Sequence, residues 1–177
     1  MSDLTEALKE CGALQFGDFT LASGAKSEYY IDIKKASTNP KVLRHISLQM
    51  AQKMKEENIH PDRIAGVVLG SVPLAAALSL ATDIPYVMIR KEKKDHGTGK
   101  LIEGDLNPGD KVLVVEDVVT TAGSSIAAIK TLRENGAVVE SAMSVIDRES
   151  GGEQNYAEIG VKFYPLVKAS EVLKNRK

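Results

Sequence analysis

The residues best suited to chemistry lie between an apolar run and a stretch of small side chains. Residues 112–115 are continuously apolar, Glu116 and Asp117 follow them, and residues 121–125 form a small-residue turn before a predicted helix. Such a turn at a helix N-terminus presents backbone N–H groups to a phosphate. The carboxylates would repel that phosphate, but they can accept hydrogen bonds from ribose hydroxyls lying between. The pattern therefore predicts a site for a ribose 5-phosphate.

The simpler alternative for this segment is an ordinary strand-to-helix connection capped by Asp and Thr side chains. A Thr-Thr-Ala-Gly turn alone does not outweigh that alternative, whereas the strand, the paired carboxylates, the turn and the helix together do. The segment has neither the GxxxxGK[ST] pattern of a P-loop nor the GxGxxG pattern of a dinucleotide-binding turn.

A second candidate is the polar run at residues 90–100, which contains five cations, His96 and two glycines. It is too long and too polar for a simple structural connection, and its glycines allow hinge motion. The alternative is a solvated, charged surface loop. Because the cations follow a predicted strand, at the end where open α/β sheets bind their ligands, a role in the site is favoured.

Alternating strands and helices must position these loops. Continuously apolar runs are typical of parallel strands covered on both faces. We therefore expect an α/β fold with a mostly parallel sheet flanked by helices. The predicted strands are 64–69, 86–90, 112–115, 138–145 and 161–165, and the helices between them are 72–81 and 123–135.

The first 35 residues are expected to form a small N-terminal hood. Short β runs at 13–16 and 19–21 flank Gly17-Asp18, which predicts a hairpin there. A loop at 23–27 and a strand at 29–33 follow. Asn39 and Pro40 then have the types that begin a helix. No linker divides the sequence, so residues 1–177 are interpreted as one domain.

Composition argues against several classes of protein. The chain is 43% hydrophobic and 27% charged, which is typical of globular proteins rather than disordered or fibrous ones. A formal net charge of −1 argues against nucleic acid or an acidic membrane as partner. Cys11 is the single cysteine and the N-terminus lacks the apolar region of a signal peptide, so we expect a cytoplasmic protein. The uncharged stretch 64–82 has the length of a membrane span, but its glycines and Pro73 favour a buried strand, loop and helix.

Four segments resemble the type I phosphoribosyltransferases. Residues 112–125 resemble the signature that binds 5-phosphoribosyl 1-diphosphate (PRPP), and residues 16–30, 90–99 and 147–152 resemble segments of the orotate-using members. The resemblance implies Mg²⁺-dependent transfer of a phosphoribosyl group from PRPP to orotate, in pyrimidine biosynthesis. The products would be orotidine 5′-monophosphate and pyrophosphate, and the enzyme would be a homodimer.

The resemblance also implies roles for individual residues. The 90–100 run would close as a lid over the pyrophosphate, its lysine and histidine coming from the neighbouring subunit, and residues 70–73 would contact the pyrophosphate. Mg²⁺ would be held mainly by PRPP and water; Glu116 and Asp117 bind the ribose either directly or through metal-bound water. The residues implied as catalytic are Lys94, His96 and Asp117. Those implied to bind substrate are Arg90, Lys91, Glu116, Thr120, Thr121, Ala122, Gly123, Ser124, Arg148, Lys26, Tyr29 and Tyr30.

The last four of these residues would face orotate. Arg148 is implied to meet its carboxylate, which a planar guanidinium matches in shape. Of Tyr29 and Tyr30, one is expected to serve strand packing, because adjacent strand residues face opposite ways.

Two positions depart from the family pattern. Ala22 replaces a lysine, and Ala122 replaces a glycine whose backbone angles alanine disfavours. Two other functions would account for part of these motifs. A purine phosphoribosyltransferase would share residues 112–125 but lack the lid and Arg148. A PRPP- or nucleotide-sensing regulator would carry a nucleic-acid-binding extension or a basic face, and this sequence has neither.

Overall fold

Residues 3–20, 24–92 and 99–174 are described by the computed structural model of this chain. They contain seven helices and eight strands, most of them alternating along the second part of the chain. In chain order the elements are α1 Leu4–Glu10, β1 Leu14–Thr20, β2 Lys26–Ile31, α2 Ile33–Ser37, α3 Pro40–Glu56, β3 Arg63–Val67, α4 Val72–Thr82, β4 Tyr86–Ile89, β5 Ile102–Glu103, β6 Lys111–Val119, α5 Gly123–Glu134, β7 Val138–Asp147, α6 Gly152–Glu158, β8 Lys162–Lys168 and α7 Ala169–Lys174.

Six of these strands form one sheet in the order β5-β4-β3-β6-β7-β8. Its neighbouring strands are parallel except for β5, which runs antiparallel to β4. The carboxyl ends of β3, β4, β6 and β7 therefore meet at one edge, where the loops with candidate chemistry begin. The expected mostly parallel sheet flanked by helices is confirmed.

The side chains of β6 show how the sheet is buried. Leu113 and Val115 join a hydrophobic cluster with residues of α1 to α4, whereas Val112 and Val114 join a second cluster with residues of α5 and α6. Alternate residues of a strand face opposite sides, so both faces of the sheet are covered. Each buried Val or Leu side chain contributes roughly 1.5–3 kcal/mol, which holds the adjoining site residues on a rigid support.

The N-terminal region differs from its prediction. Gly17 and Asp18 lie inside β1, not at a hairpin turn, so that prediction was wrong. Three steps from Phe16 to Phe19 on β1 oppose two steps on β2, which is a β-bulge. An isolated glycine within a strand pattern marks a bulge as readily as a turn.

Several element boundaries were also misplaced. β2 starts at Lys26, inside the predicted loop, and ends at Ile31. Asp32 then caps α2 by accepting a hydrogen bond from the Lys35 N–H. The predicted end of the hood, at residue 35, falls within this helix. β6 continues to Val119, so both carboxylates lie within the strand instead of after it. α2, β5, α6 and α7 were not predicted.

The uncharged stretch 64–82 forms β3 and α4. α4 is buried on one face, through Leu74 and Leu78, but Leu80 is 86% exposed, so the helix is less buried than predicted. Of the helices in the described ranges, none combines the length and the apolar character needed to cross a membrane.

Candidate active site

Glu116 is the most unusual group at the carboxyl edge of the sheet. Its side chain is buried, with 8% exposure, and its Oε1 atom has no hydrogen-bond partner. Burial, and then the neighbouring charge of Asp117, raise the pKa of Glu116 from 4.5 to about 8; a hydrogen bond from Ser71 and the charge of Lys91 partly oppose the rise. At neutral pH the carboxyl is therefore mostly protonated, and one of its oxygens is buried without a hydrogen-bond partner.

Asp117 is held against the loop that follows β3. Its Oδ1 atom accepts from the Val118 N–H at 2.8 Å. A Cβ atom at Gly70 would overlap the Asp117 carboxylate. The absence of a side chain at Gly70 thus lets the loop after β3, which contains a cis Val68–Leu69 peptide, approach the carboxylates. The structure brings the predicted pyrophosphate loop and the predicted ribose carboxylates together.

The two carboxyl groups fit a magnesium ion that takes its other ligands from substrate and water. Mg²⁺ is usually bound by one or two carboxylates together with phosphate oxygens and waters. The orphaned Oε1 atom of Glu116 is a donor of the right chemistry for such an ion. Within the described residues, no group of three or more His, Cys, Asp or Glu side chains gathers as a metal site.

The turn after β6 encloses a cavity of about 240 Å³, which Glu116 also lines. Ala122 is the residue before α5 and has left-handed backbone angles, φ 66° and ψ 14°. A left-handed conformation costs a residue with a Cβ roughly 1–2 kcal/mol. The expectation that alanine is disfavoured here is therefore confirmed. The turn places the N-terminus of a twelve-residue helix against the cavity, where the helix dipole favours an anion. Besides Ala122, the residues of this turn that line the cavity are Thr120, Thr121, Gly123, Ser124 and Ser125.

Arg148 and Tyr29 meet beyond the end of β7. The guanidinium carbon of Arg148 lies 5.8 Å from the Tyr29 ring centroid, within cation–π range. The Arg148 N–H donates to the Val119 carbonyl at 2.9 Å, which ties this residue to the end of β6. An arginine and an aromatic ring from different parts of the chain thus form one half-buried surface beyond the end of β7.

The two other predicted base-site residues lie elsewhere on β2. Tyr30 is 41% exposed and packs on Phe19, with ring centroids 5.7 Å apart. The Lys26 ammonium donates to Thr20 Oγ1 at 2.8 Å. Lys26 and Tyr30 are an even number of residues apart, so they share the strand face opposite Tyr29. The structure brings Tyr29, and not these two, to Arg148.

Arg90, the first residue of the cationic run, is held in place by two hydrogen bonds. Arg90 donates through Nε to Glu103 Oε1 at 2.9 Å, and its N–H donates to the Leu101 carbonyl at 2.8 Å. Arg90 and Lys91 also line a cavity of about 220 Å³ that reaches Ser124 of the turn. The predicted catalytic residues Lys94 and His96 lie outside the described residues, as does Ala22.

One part of the site was missed by sequence reasoning. Asn155 and Tyr156 of α6 contact the turn after β6: Asn155 Nδ2 donates to the Thr121 carbonyl at 2.9 Å, and the Tyr156 hydroxyl bonds to Ser125 Oγ. The available signal was the pair Gly151-Gly152 followed by Tyr156. A seven-residue helix is too short for hydrophobic periodicity to reveal it.

A family model and a curated relative match most of the chain. A family model described as the phosphoribosyl transferase domain matches residues 32–163. The chain is 55% identical over 163 residues to the orotate phosphoribosyltransferase of Pyrococcus horikoshii, covering 92% of this chain and 88% of that protein.

Two solved structures extend the likeness to three dimensions. Orotate phosphoribosyltransferase from Aeropyrum pernix matches with a TM-score of 0.86 and 33% identity, over 97% of this chain and 96% of that one. The Mycobacterium tuberculosis orotate phosphoribosyltransferase, solved in complex with PRPP, matches with a TM-score of 0.78 and 27% identity, over 96% and 98% of the two chains. The chain therefore belongs to the orotate phosphoribosyltransferase family.

Proposed function

We propose that this chain transfers the phosphoribosyl group of PRPP to orotate with the aid of Mg²⁺, releasing orotidine 5′-monophosphate and pyrophosphate. Family membership makes it a PRPP-dependent enzyme of pyrimidine biosynthesis. The observation that supports the finer proposal is that Glu116 lines the cavity of the turn after β6, while the backbone of Arg148, which contacts Tyr29, is bonded to Val119 at the end of the same strand. These three elements match the phosphate, the ribose and the base of one product.

The turn after β6 is proposed to hold the 5-phosphate. Gly123 and Ser124 are the first two residues of α5, and their backbone N–H groups are proposed as donors to the phosphate. The hydroxyls of Thr120 and Thr121 add further donors. This arrangement fixes the ribose at one end, so that its anomeric carbon lies toward the incoming base. Positioning of this kind converts an encounter between two substrates into a reaction within one complex.

Glu116 and Asp117 are proposed to accept hydrogen bonds from the 2- and 3-hydroxyls of the ribose. Loss of the leaving group makes the transition state oxocarbenium-like, and nearby carboxylates favour that positive charge. Mg²⁺, when bound, neutralises charge on the diphosphate leaving group. Glu116 loses its proton as cationic charge enters the site, because opposite charge favours the ionised carboxyl.

Arg148 is proposed to select the base. Orotate carries a carboxylate that uracil and purines lack, and a guanidinium can meet it with two parallel hydrogen bonds. The Tyr29 ring holds the guanidinium from one side at 5.8 Å. Together they make a surface on which a flat, negatively charged base is bound.

Arg90 and Lys91 are proposed to face the pyrophosphate, and Lys94 and His96 to reach it from the neighbouring subunit of a homodimer. A closed lid excludes water, which would otherwise hydrolyse PRPP. Cations at the leaving group stabilise charge as it develops; removal of one such contact typically costs about 3–4 kcal/mol in the barrier.

Mixing a Lys94/His96 variant with an Asp117 variant should restore part of the activity, because some mixed dimers contain one intact site. No recovery after confirmed subunit exchange would place the whole site within one chain.

The proposed reaction is tested by incubating the protein with PRPP, Mg²⁺ and one base at a time. We expect loss of the orotate ultraviolet absorption band only when PRPP and Mg²⁺ are both present. Uracil, adenine and hypoxanthine serve as matched bases without the carboxylate and should give no product. Turnover of a purine in place of orotate would overturn the proposal.

A further inference from the structure

We propose that Tyr156 and Asn155 of α6 are positioning residues that hold the turn after β6 in the shape that binds the 5-phosphate of PRPP. The inference rests on the proposed function of that turn. Neither residue lies within the turn itself; both act on it from α6.

The buried hydrogen bond of Tyr156 has a defined direction. Ser125 Oγ lies 3.1 Å from the Ala122 carbonyl oxygen, which can only accept, so the serine hydroxyl donates there. The serine has a single hydroxyl proton, so Tyr156 is the donor to Ser125. The tyrosine therefore fixes the serine, and the serine fixes the carbonyl of the residue with left-handed backbone angles.

This hydrogen-bond chain lies in the protein interior. Tyr156 is 0% exposed and Ser125 is 1% exposed. Burial raises the pKa of Tyr156, so its hydroxyl keeps its proton and remains a donor. The ring packs on Phe163 with centroids 5.0 Å apart, which leaves the hydroxyl little freedom to move away from Ser125. Ser125 Oγ is consumed by these two bonds and is not a donor to a ligand.

Asn155 holds the other side of the same turn. Its amide donates to the Thr121 carbonyl at 2.9 Å, one residue before Ala122. The first residue of α6, Gly152, is also in close contact, because a Cβ there would overlap Val119 and stand 3.0 Å from the Thr120 carbonyl oxygen. Two successive carbonyls of the turn, those of Thr120 and Thr121, are thus in contact with α6.

α6 also follows directly from the base side of the site. Three residues separate Arg148 from Gly152, where the helix begins. One short helix thus joins the residue proposed to select orotate with the turn proposed to bind the phosphate. We therefore expect changes at Asn155 and Tyr156 to act on PRPP and not on the base.

The test compares PRPP binding by calorimetry, and steady-state kinetics, for the full-length chain and four variants. Tyr156→Phe removes only the hydroxyl, and Asn155→Ala removes the amide from a half-buried position. Tyr164→Phe removes a tyrosine hydroxyl from the opposite face of the sheet. Asn135→Ala removes an amide that also donates to a backbone carbonyl, Thr131, at the far end of α5.

We expect Tyr156→Phe and Asn155→Ala each to raise the dissociation constant and the KM for PRPP about three- to tenfold, the range for one lost hydrogen bond, with the KM for orotate unchanged. Both control variants should bind PRPP like the unmodified chain. Equal PRPP affinity in all variants overturns the inference, even if the variants are less stable. Failure of the unmodified chain to bind PRPP overturns the proposed function, and this inference with it. Should Tyr156→Phe not fold, Asn155→Ala decides alone.

Discussion

The carboxylate of Asp117 occupies the space that a side chain at Gly70 would need. The two residues are 47 positions apart in sequence: Asp117 lies in β6, and Gly70 lies in the loop that follows the adjacent strand β3. The missing Cβ lets the loop proposed to contact pyrophosphate lie directly against Asp117, which is proposed to bind the ribose. This contact joins two halves of the proposed site.

Gly70→Ala should therefore impair catalysis more than folding. Its Cβ displaces the Asp117 carboxylate, and an error of about 1 Å in a catalytic group can cost 10²-fold in rate. We expect kcat/KM for PRPP to fall at least tenfold, with a change of only a few degrees in Tm. Kinetics at wild-type level would show that the position of Asp117 is not critical.

Glu116 should make the protein less stable as the pH rises. Its pKa is raised from 4.5 to about 8 in the folded chain, so the folded state holds this proton more tightly than the unfolded state. The protonated carboxyl contributes up to about 5 kcal/mol to the free energy of unfolding. This contribution is complete below pH 4.5 and is lost as the pH rises through 8.

Glu116→Gln is the matched control for that effect. Glutamine keeps the shape of the protonated carboxyl and does not titrate. Urea unfolding of both proteins, without substrate, should show the variant gaining stability relative to the wild type between pH 5 and pH 9. A constant difference across that interval would mean that Glu116 titrates normally.

Ala122→Gly should stabilise the chain. Glycine relieves a left-handed strain of roughly 1–2 kcal/mol. Its greater conformational freedom in the unfolded state destabilises the folded state by about 0.4–1 kcal/mol, which offsets part of that gain. The expected net change is about +1 kcal/mol in the free energy of unfolding. Ala127→Gly, at an exposed interior position of α5, should instead destabilise by about 0.5–1 kcal/mol. The same sign for both substitutions would contradict the backbone argument.

Arg148→Ala should lower kcat/KM for orotate tenfold or more. Loss of a hydrogen bond to a charged group costs roughly 1.5–3 kcal/mol, and each tenfold change corresponds to about 1.4 kcal/mol. Affinity for PRPP should change little, because Arg148 lies on the base side. Arg44→Ala, on the exposed face of α3, controls for loss of a positive charge. Unchanged orotate kinetics would assign the base to another residue.

The parallel sheet and the small-residue turn between β6 and α5 could be predicted because their signals are local. Residues 112–115 are continuously apolar, and Gly123 and Ser124 follow in sequence. The extent of β6 could not be predicted in the same way, because Glu116 and Asp117 are polar residues that remain strand through pairing with β7. The bulge at Gly17-Asp18 likewise depends on the partner strand, and glycine fits either a bulge or a turn.

Contacts between distant residues were beyond the sequence patterns. Nothing near Tyr156 indicates that its hydroxyl meets Ser125, 31 positions earlier. For Tyr29 and Arg148 the family resemblance implied a shared site, but no local pattern indicated that their side chains are in contact. Strand propensity and alternation did predict that Tyr29 and Tyr30 would face opposite ways.

The claim that Glu116 and Asp117 form the ribose site is tested most directly by the double variant Glu116→Gln, Asp117→Asn. Both side chains keep their size, so the fold should be retained, as circular dichroism and Tm will show. The measurement is turnover of orotate and PRPP together with the affinity for PRPP. We predict that turnover is abolished in a folded protein; near-normal kcat with normal PRPP affinity would contradict the account.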